Sequence, residues 1–520
     1  MTKPIKRVVI LGGGTSGWMT ASALLRFMNR ATPGTIEVTV VEGPDGPIGV
    51  GEATIPTLRG MLSVLGIDER DFMVRTNATF KQAIKFVNWL HDPARAPSHY
   101  FHLFQRPGVV EGMDYGQYWL SLNRDAEPNV YAESVAFQAA LCHASRAPKA
   151  KDSQQYDGPA SYAYHLDAIL FGRYLRDFAL GLGARRIEAR VVGAPRDDGG
   201  DLRALKLESG EEVEGDLFID CSGFQGYLIN QVLEEPFESW RDQLYCDRAV
   251  AMQVPLNPGQ KINPFTSATA MSSGWIWEIH LHNRRGIGYV YSSRFISDED
   301  AERELRGYIG ATAREVPARK LNMRVGRSRR SWVRNCVAIG LSAGFLEPLE
   351  STGIYLTEMG IKLLFENFPE AGVSEVLADT YNRQMSGLYD ETMRFIVLHY
   401  CLTQREDTEF WRTNKHHPKI PAELQEQLEL WKYRLPCLWD DRQGLQFFGH
   451  GSQLYILAGM KFPFGHGSAT RHFVDPAQAR GYSRTVDEHR QKALAATPDH
   501  TEYVRQLHSA NTGLAGRRPS

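Results

Sequence analysis

Three glycines, Gly12, Gly14 and Gly17, restrict the fold of this 520-residue chain more than any other feature. They follow an apolar run at 7–11 that reads as a buried strand, and they precede a run at 18–27 patterned as a helix. In that setting the first glycine permits a tight turn, the second lets a pyrophosphate approach the backbone, and the third lets helix pack on strand. Thr15 and Ser16 lie inside the same loop. A second apolar run at 36–41 ends at Glu42, placed to accept hydrogen bonds from an adenosine ribose. The spacing predicts an α/β fold with a Rossmann-like dinucleotide site.

Two later apolar runs, 216–223 and 336–340, also end on glycine, the second at Gly340. Glycine-terminated strands spread this far apart fit a discontinuous FAD domain better than a single NAD fold. The tract 46–56 is punctuated by glycine and proline and reads as a loop beside the second strand, so Ile48, Gly49 and Val50 are expected to lie across a flavin.

The stretch 345–354 is the second organising feature. Glu347 and Glu350 bracket Pro348, and Ser351, Thr352 and Gly353 lead into an amphipathic segment. A hydroxyl residue before an apolar-periodic run marks a helix start, and main-chain N–H groups there can hold an anion. On the residues alone, a helix cap with surface glutamates and a reaction site are equally good readings. Lys81 and Lys85 are four apart, which puts them on one face of either a strand or a helix. A lysine amid Phe80, Ile84, Phe86 and Trp89 is either desolvated, with a lowered pKa, or extends its ammonium to water.

Residues 98–104 are dense in aromatics and suit a pocket wall. Trp275 and Trp277 alternate and are expected to pack in a core from one face of a strand. Residues 105–160 read as polar and irregular, with 148–157 a surface excursion. Beyond 355 the pattern is helical, and 445–455 is a glycine-broken aromatic segment expected at a pocket edge.

Composition narrows the class. With 42% hydrophobic and 23% charged residues the chain is ordinary for a globular protein. Its 59 basic and 61 acidic residues leave a net charge of −2, so no basic field draws nucleic acid. Six cysteines without paired spacing predict neither a zinc site nor a disulfide framework, and fit a reducing cytoplasm. The early glycine loop leaves no room for a signal peptide, and no apolar run reaches the ~18–20 residues of a membrane span.

Jointly, residues 12–19, 49–56 and 80–86, the Trp275-x-Trp277-x-Ile279 pattern, residues 347–354 and the pair His399 and Tyr400 resemble flavin-dependent halogenases of the tryptophan halogenase family, across residues 5–460. The resemblance implies FAD, used as FADH2, together with chloride or bromide and O2. Hypohalous acid made at the flavin would pass through a tunnel to Lys81. Glu350 would assist electrophilic attack and stabilise the cationic ring, and Ser351 would link the flavin and substrate compartments. The main-chain N–H groups of Thr352 and Gly353 would hold the halide, and the 46–53 loop would strap the FAD. His102 and Phe104 match the family's aromatic sandwich, with Phe447, Phe448 and Tyr455 as the remaining substrate wall. A separate flavin reductase is the implied partner and a small aromatic molecule the substrate, with no nucleic acid or membrane and a homodimer left open.

Two departures bear on this. His280 stands where the family signature has proline, which is expected to loosen the strand end. Ser452 and Ile456 stand where free-tryptophan enzymes have a glutamate and a tryptophan, and a buried zwitterion needs charged or strongly polar partners. The expected substrate is therefore an indole-type, electron-rich ring. Free tryptophan, or NAD(P)H-dependent hydroxylation on the same fold, are the alternatives. The expected division is an FAD domain from 1–90 and 160–355, a largely helical substrate region from 91–159 and 356–505, and a flexible tail at 506–520.

Overall fold

A computed structural model of the chain describes residues 4–44, 51–440, 447–464 and 470–509. Ile48, Gly49 and Val50 lie outside the described residues. At the centre is a six-stranded sheet in the order Arg185–Glu188, Glu37–Glu42, Arg7–Leu11, Leu217–Asp220, Cys336–Ala338, Trp332–Val333. Five strands run parallel, and Trp332–Val333 turns back at the edge. The inner strands are continuous apolar runs because both faces are covered; Val8, Ile10, Phe218, Ile219 and Val337 are all buried. Parallel pairing brings the carboxyl ends at Leu11, Glu42, Asp220 and Ala338 to one edge, where open α/β sheets bind their ligands. The helix Thr15–Met28 starts from that edge and buries residues from Gly17 to Leu25. The α/β expectation holds.

A second, mostly antiparallel sheet has seven strands, in the order Arg319–Asn322, Arg248–Pro255, Arg284–Tyr291, Gly274–His280, Thr266–Ala270, Ala83–Val87, His99–Leu103. Trp275 and Trp277 share one face of their strand and are buried, with ring centroids 6.4 Å apart, as expected of core residues. That strand stays paired to its end, His280 opposite Arg285. The His280 ring accepts from the Asn263 N–H at Nδ1 (3.2 Å) and donates from Nε2 to Glu278 (3.1 Å). The loosening expected from the missing proline is therefore absent, because the imidazole replaces the ring's rigidity with two hydrogen bonds.

Several expected boundaries move. Ala83–Val87 and His99–Leu103 form one antiparallel pair, so a division at residue 90 cuts through a single sheet. Residues 248–291, placed on the FAD side, supply four more of its strands. Lys81 and Lys85 do not share a face. Thr79–Lys81 pairs with Ala163–Leu166 in a separate three-stranded sheet, and the chain changes sheets at Gln82. There the Gln82 N–H donates to the Pro264 carbonyl (2.7 Å). Lys81 ends fully buried, while half-buried Lys85 sits over Phe101, 5.7 Å from the ring centroid.

Residues 148–157 lie mostly at the surface, as expected, but the segment is anchored from beneath. Lys149 is buried and donates to Glu69 (2.8 Å), which also accepts from Tyr162 (2.6 Å), Tyr164 (2.7 Å) and the Tyr156 N–H (2.8 Å). The expected tail also starts too early. Residues 506–509 belong to the helix His500–Ser509, where the His508 ring stacks on His282 at 3.8 Å.

The helical layer is led by a 27-residue helix, Glu375–Cys401, which packs against Gly353–Glu366 and against His450–Gly459. Among the described residues no helix is long and apolar enough to cross a membrane, and no cluster of His, Cys, Asp or Glu could hold a metal ion.

Candidate active site

The parallel edge forms a cradle. Gly12 has φ +118°, and a Cβ there would strike the Cys221 carbonyl. A Cβ on Gly14 would meet nothing within 4 Å, so the start of Thr15–Met28 faces open space. Glu42 accepts from the Trp18 indole N–H (3.1 Å) and from Arg186, and each carboxylate oxygen keeps a lone pair for a ribose hydroxyl. These residues fit a dinucleotide laid across the strand ends. Gly340 has a packing reason as well: with φ +79°, any Cβ would collide with the Ser16 side chain. Ser16 in turn lies 3.2 Å from the Thr357 hydroxyl, and Thr15 Oγ1 donates to the Ala168 carbonyl (3.4 Å). The glycine loop is thereby tied to the helix Gly353–Glu366.

That helix begins at the 345–354 junction. Pro348 opens a short 3-10 turn, Pro348–Glu350, and Ser351 leaves it at φ +58°. A serine held in the left-handed region is strained and needs its surroundings to keep it there. Thr352 occupies the N-cap position but its side chain makes no cap bond, so it accepts from none of the helix's first N–H groups.

Ser351 is held from the other side by Lys81. The Lys81 ammonium donates to Ser351 Oγ (2.7 Å) and to the Thr54 carbonyl (3.0 Å), and it lies 5.2 Å from the Phe104 ring centroid. Desolvation pushes its pKa down to about 7, against the opposing pull of Glu350 and Glu52. Desolvation likewise raises Glu52 to about 7. An ideal Cβ on Gly353 would lie 3.7 Å from a Glu52 oxygen, so this carboxyl borders the helix start.

The two junction carboxylates differ sharply. Glu350 accepts from His102 Nδ1 at both oxygens (3.0 and 2.9 Å) and faces His399 Nε2 at 2.9 Å. Burial alone would raise its pKa, but His102 and then His399 outweigh it and hold the carboxyl at about 2. His399 Nδ1 donates to the Phe395 carbonyl (2.8 Å), so a proton must also lie between Nε2 and the Glu350 carboxylate. Glu347, three residues earlier, is also buried but is raised by desolvation to about 7, with Tyr400 donating to it at 2.6 Å. Of the pair, Glu350 is the fixed anion.

The aromatic wall assembles around His102, on the strand His99–Leu103. Its ring lies 5.8 Å from Tyr455, 5.8 Å from Phe395 and 6.4 Å from Phe448. Phe448 stacks on Phe395 at 4.1 Å. Phe447 joins the wall through Phe448 (4.9 Å), and its ring packs on Tyr355 at 4.4 Å. Ile456 is buried in the helix His450–Gly459.

A family model for tryptophan halogenase matches residues 7–474. The chain belongs to the tryptophan halogenase family. It is 36% identical to tryptophan 7-halogenase RebH of Lentzea aerocolonigenes, over 98% of this chain and all of that one. A tryptophan halogenase structure from Shewanella frigidimarina superposes with a TM-score of 0.90 at 34% identity, covering 98% of each chain. BrvH, a flavin-dependent halogenase from Brevundimonas sp. BAL3, superposes at 0.85 with 38% identity, over 97% of this chain and 99% of that one.

For this halogenase, reading along the chain missed residues that only the fold brings to the junction. His399 stood out as part of a motif, yet nothing local tied it to Glu350, 49 residues away. A histidine four residues after Phe395 on an apolar helix face was the available signal, since that spacing satisfies Nδ1 on the helix's own backbone. Thr54 contributes through its carbonyl, which side-chain chemistry cannot reveal.

Proposed function

We propose that this halogenase places chlorine or bromine on an electron-rich, indole-type ring held between His102, Phe104, Tyr455 and Phe448, with Lys81 and Glu350 as the catalytic residues. The observation that carries this reading is the pairing of a buried lysine of lowered pKa with a buried, ionised glutamate, joined through Ser351. When bound and reduced by a separate flavin reductase, FAD would supply hypohalous acid from O2 and halide. The residues at the parallel edge, Gly12, Gly14 and Glu42 among them, would hold that flavin. The main-chain N–H groups of Thr352 and Gly353 hold the halide, which suits a helix start without a side-chain cap.

Ser351 and the Thr54 carbonyl fix the Lys81 nitrogen at the boundary between the two compartments. From there it presents the electrophilic halogen to the ring: the ring carbon takes the halogen, the ring loses a proton, and water is the co-product. Positive charge develops on the ring during attack, and the Glu350 carboxylate stabilises it in a site with little water to screen the interaction. His102 and His399 keep that carboxylate ionised and aimed. Because the carboxylate is already desolvated and paired, it need not reorganise as the ring becomes cationic.

Purified protein supplied with FAD, NADH, a generic flavin reductase, bromide and indole should yield products with a bromine isotope doublet by mass spectrometry. Oxygen addition in place of bromine would overturn the reading in favour of hydroxylation.

A further inference from the structure

A cleft of about 430 Å³ lies between the long helix Glu375–Cys401, the helix Ala422–Trp431 and the helix His450–Gly459. That volume is typical of small-molecule sites. None of the residues assigned to the reaction lines it except Phe448, which with Phe395 forms its inner wall. The far side of the same stacked ring pair faces His102, the partner of Glu350. One ring pair therefore separates the cleft from the catalytic carboxylate.

The polar groups of the cleft divide into two sets. Its carboxylates already have local partners: Asp390 with Arg327 (3.0 Å), Glu423 with Arg394 (2.8 Å), Asp440 with Arg434, and Glu391 with the Phe448 N–H (2.7 Å). The other set has spare capacity. Gln384 and Gln453 each carry a buried Oε1 with no hydrogen-bond partner among the described residues, and Gln453 is 5% exposed. A buried carbonyl left without a donor is costly and calls for a ligand N–H. Arg383, at the exposed rim, makes one bond to Thr380 Oγ1 (3.3 Å) and, among the described residues, no ion pair.

We propose that this cleft is a second substrate subsite, taking an amide-containing, carboxylate-ended arm attached to the ring that is halogenated. For the arm to enter, the Phe448 ring turns away from Phe395; the arm's amide N–H then donates to the glutamine carbonyls, and its carboxylate pairs with Arg383. This rests on the halogenase reading above and names its substrate class: an indolyl-acyl amino acid conjugate rather than a free amino acid. It also accounts for Ser452 and Ile456, since such a substrate has no ammonium to be paired there.

The wall offers a clean test. Gly387 lines the cleft, lies within a helix, and a Cβ there meets nothing within 4 Å, so Gly387→Trp fills the space without a clash at its root. Indole and indole-3-propionylglycine are compared as probes, both by calorimetric binding and by bromination kinetics. The conjugate should exceed indole in kcat/KM and in affinity by about tenfold or more, as a charge-assisted contact allows. Gly387→Trp should remove that advantage while leaving indole unchanged. Arg383→Gln should raise KM for the conjugate at unchanged kcat, and spare its primary-amide analogue. A conjugate no better than indole, or an advantage that survives Gly387→Trp, overturns the subsite. If neither compound is brominated, the halogenase reading fails. The binding comparison then still decides the cleft: tighter conjugate binding lost in Gly387→Trp sustains it, and equal affinities refute it.

Discussion

Lys81 Nζ lies 2.7 Å from Ser351 Oγ, joining positions 270 residues apart. The contact closes two halves of the site. Ser351 is locked in a left-handed conformation between the turn that carries Glu350 and the helix that begins at Gly353. Lys81 is the end of a strand whose neighbour, Gln82, has already left for another sheet. Removing the amine should stop the chemistry and spare the fold. Lys81→Ala is expected to lower kcat for bromination by at least about 100-fold, with flavin affinity by fluorescence titration unchanged. A variant that brominates normally sinks the assignment of Lys81.

The rate should also report the amine's ionisation. Desolvation lowers Lys81 to about 7, so the free amine grows as pH rises through that value, and kcat should climb between mildly acidic and mildly alkaline pH. Glu350 opposes the shift by favouring the ammonium. In Glu350→Gln the ascending limb should therefore move to lower pH. A limb that stays in place, or a rate that falls with pH, contradicts the geometry's account of Lys81.

Glu350→Gln should lower kcat by about 100-fold, the scale of losing one preorganised charge partner. It should leave the supply of hypohalous acid intact, so a scavenger dye added to the reaction would be halogenated faster than in the parent enzyme. A simultaneous fall in scavenger product would place Glu350 on the flavin side. His399→Asn tests how the carboxylate is kept ready. With one imidazole gone, the buried Glu350 titrates at higher pH, and activity at acidic pH should fall more than activity at neutral pH.

Much of this site could be read along the chain, and the reasons are local. The glycine loop, Glu42 and Gly340 are visible because each ends a strand of one parallel sheet, where the chemistry of a turn is written in adjacent residues. Lys81 and the 345–354 junction are visible as motifs. The common face predicted for Lys81 and Lys85 failed because periodicity assumes one strand, whereas Gln82 hands the chain from one sheet to another. His399 as a partner of Glu350, and Lys149 under its surface-like segment, follow from tertiary pairing that no local pattern encodes.

The Lys149 pairing carries a stability prediction. Glu69 is 5% exposed and accepts four hydrogen bonds, the one from Lys149 being its charge partner. Breaking a buried pair by removing one member leaves an uncompensated charge, so Lys149→Met should cost about 3 kcal/mol. Denaturant unfolding followed by tryptophan fluorescence would show it. No change in midpoint would mean that the segment 148–157 is not anchored by this lysine.

Glu347 and Glu350 lie three residues apart and should give opposite stability profiles with pH. Burial raises Glu347 to about 7, so its folded-state pKa exceeds the unfolded value; its contribution is fully present at low pH and is lost as pH rises through about 7. Glu350 is held at about 2, below its unfolded value, so its contribution is present above the ordinary carboxylate pKa and is lost as pH falls toward 2. Replacing Glu347 by glutamine keeps an acceptor for the Tyr400 hydroxyl and removes the ionisable group. Relative to the parent, Glu347→Gln should gain stability as pH climbs from 5 to 8, by roughly 3 kcal/mol at most. Its bromination rate should stay within a fewfold of the parent, because a largely neutral carboxyl is no electrostatic partner for a cationic ring. Glu350→Gln should lose relative stability over the acidic part of the range, as pH rises from about 2 toward the ordinary carboxylate value. Urea midpoints collected across pH 3 to 8 distinguish the two. If the two variants track each other, the histidines around Glu350 are not what separates one carboxylate from its neighbour.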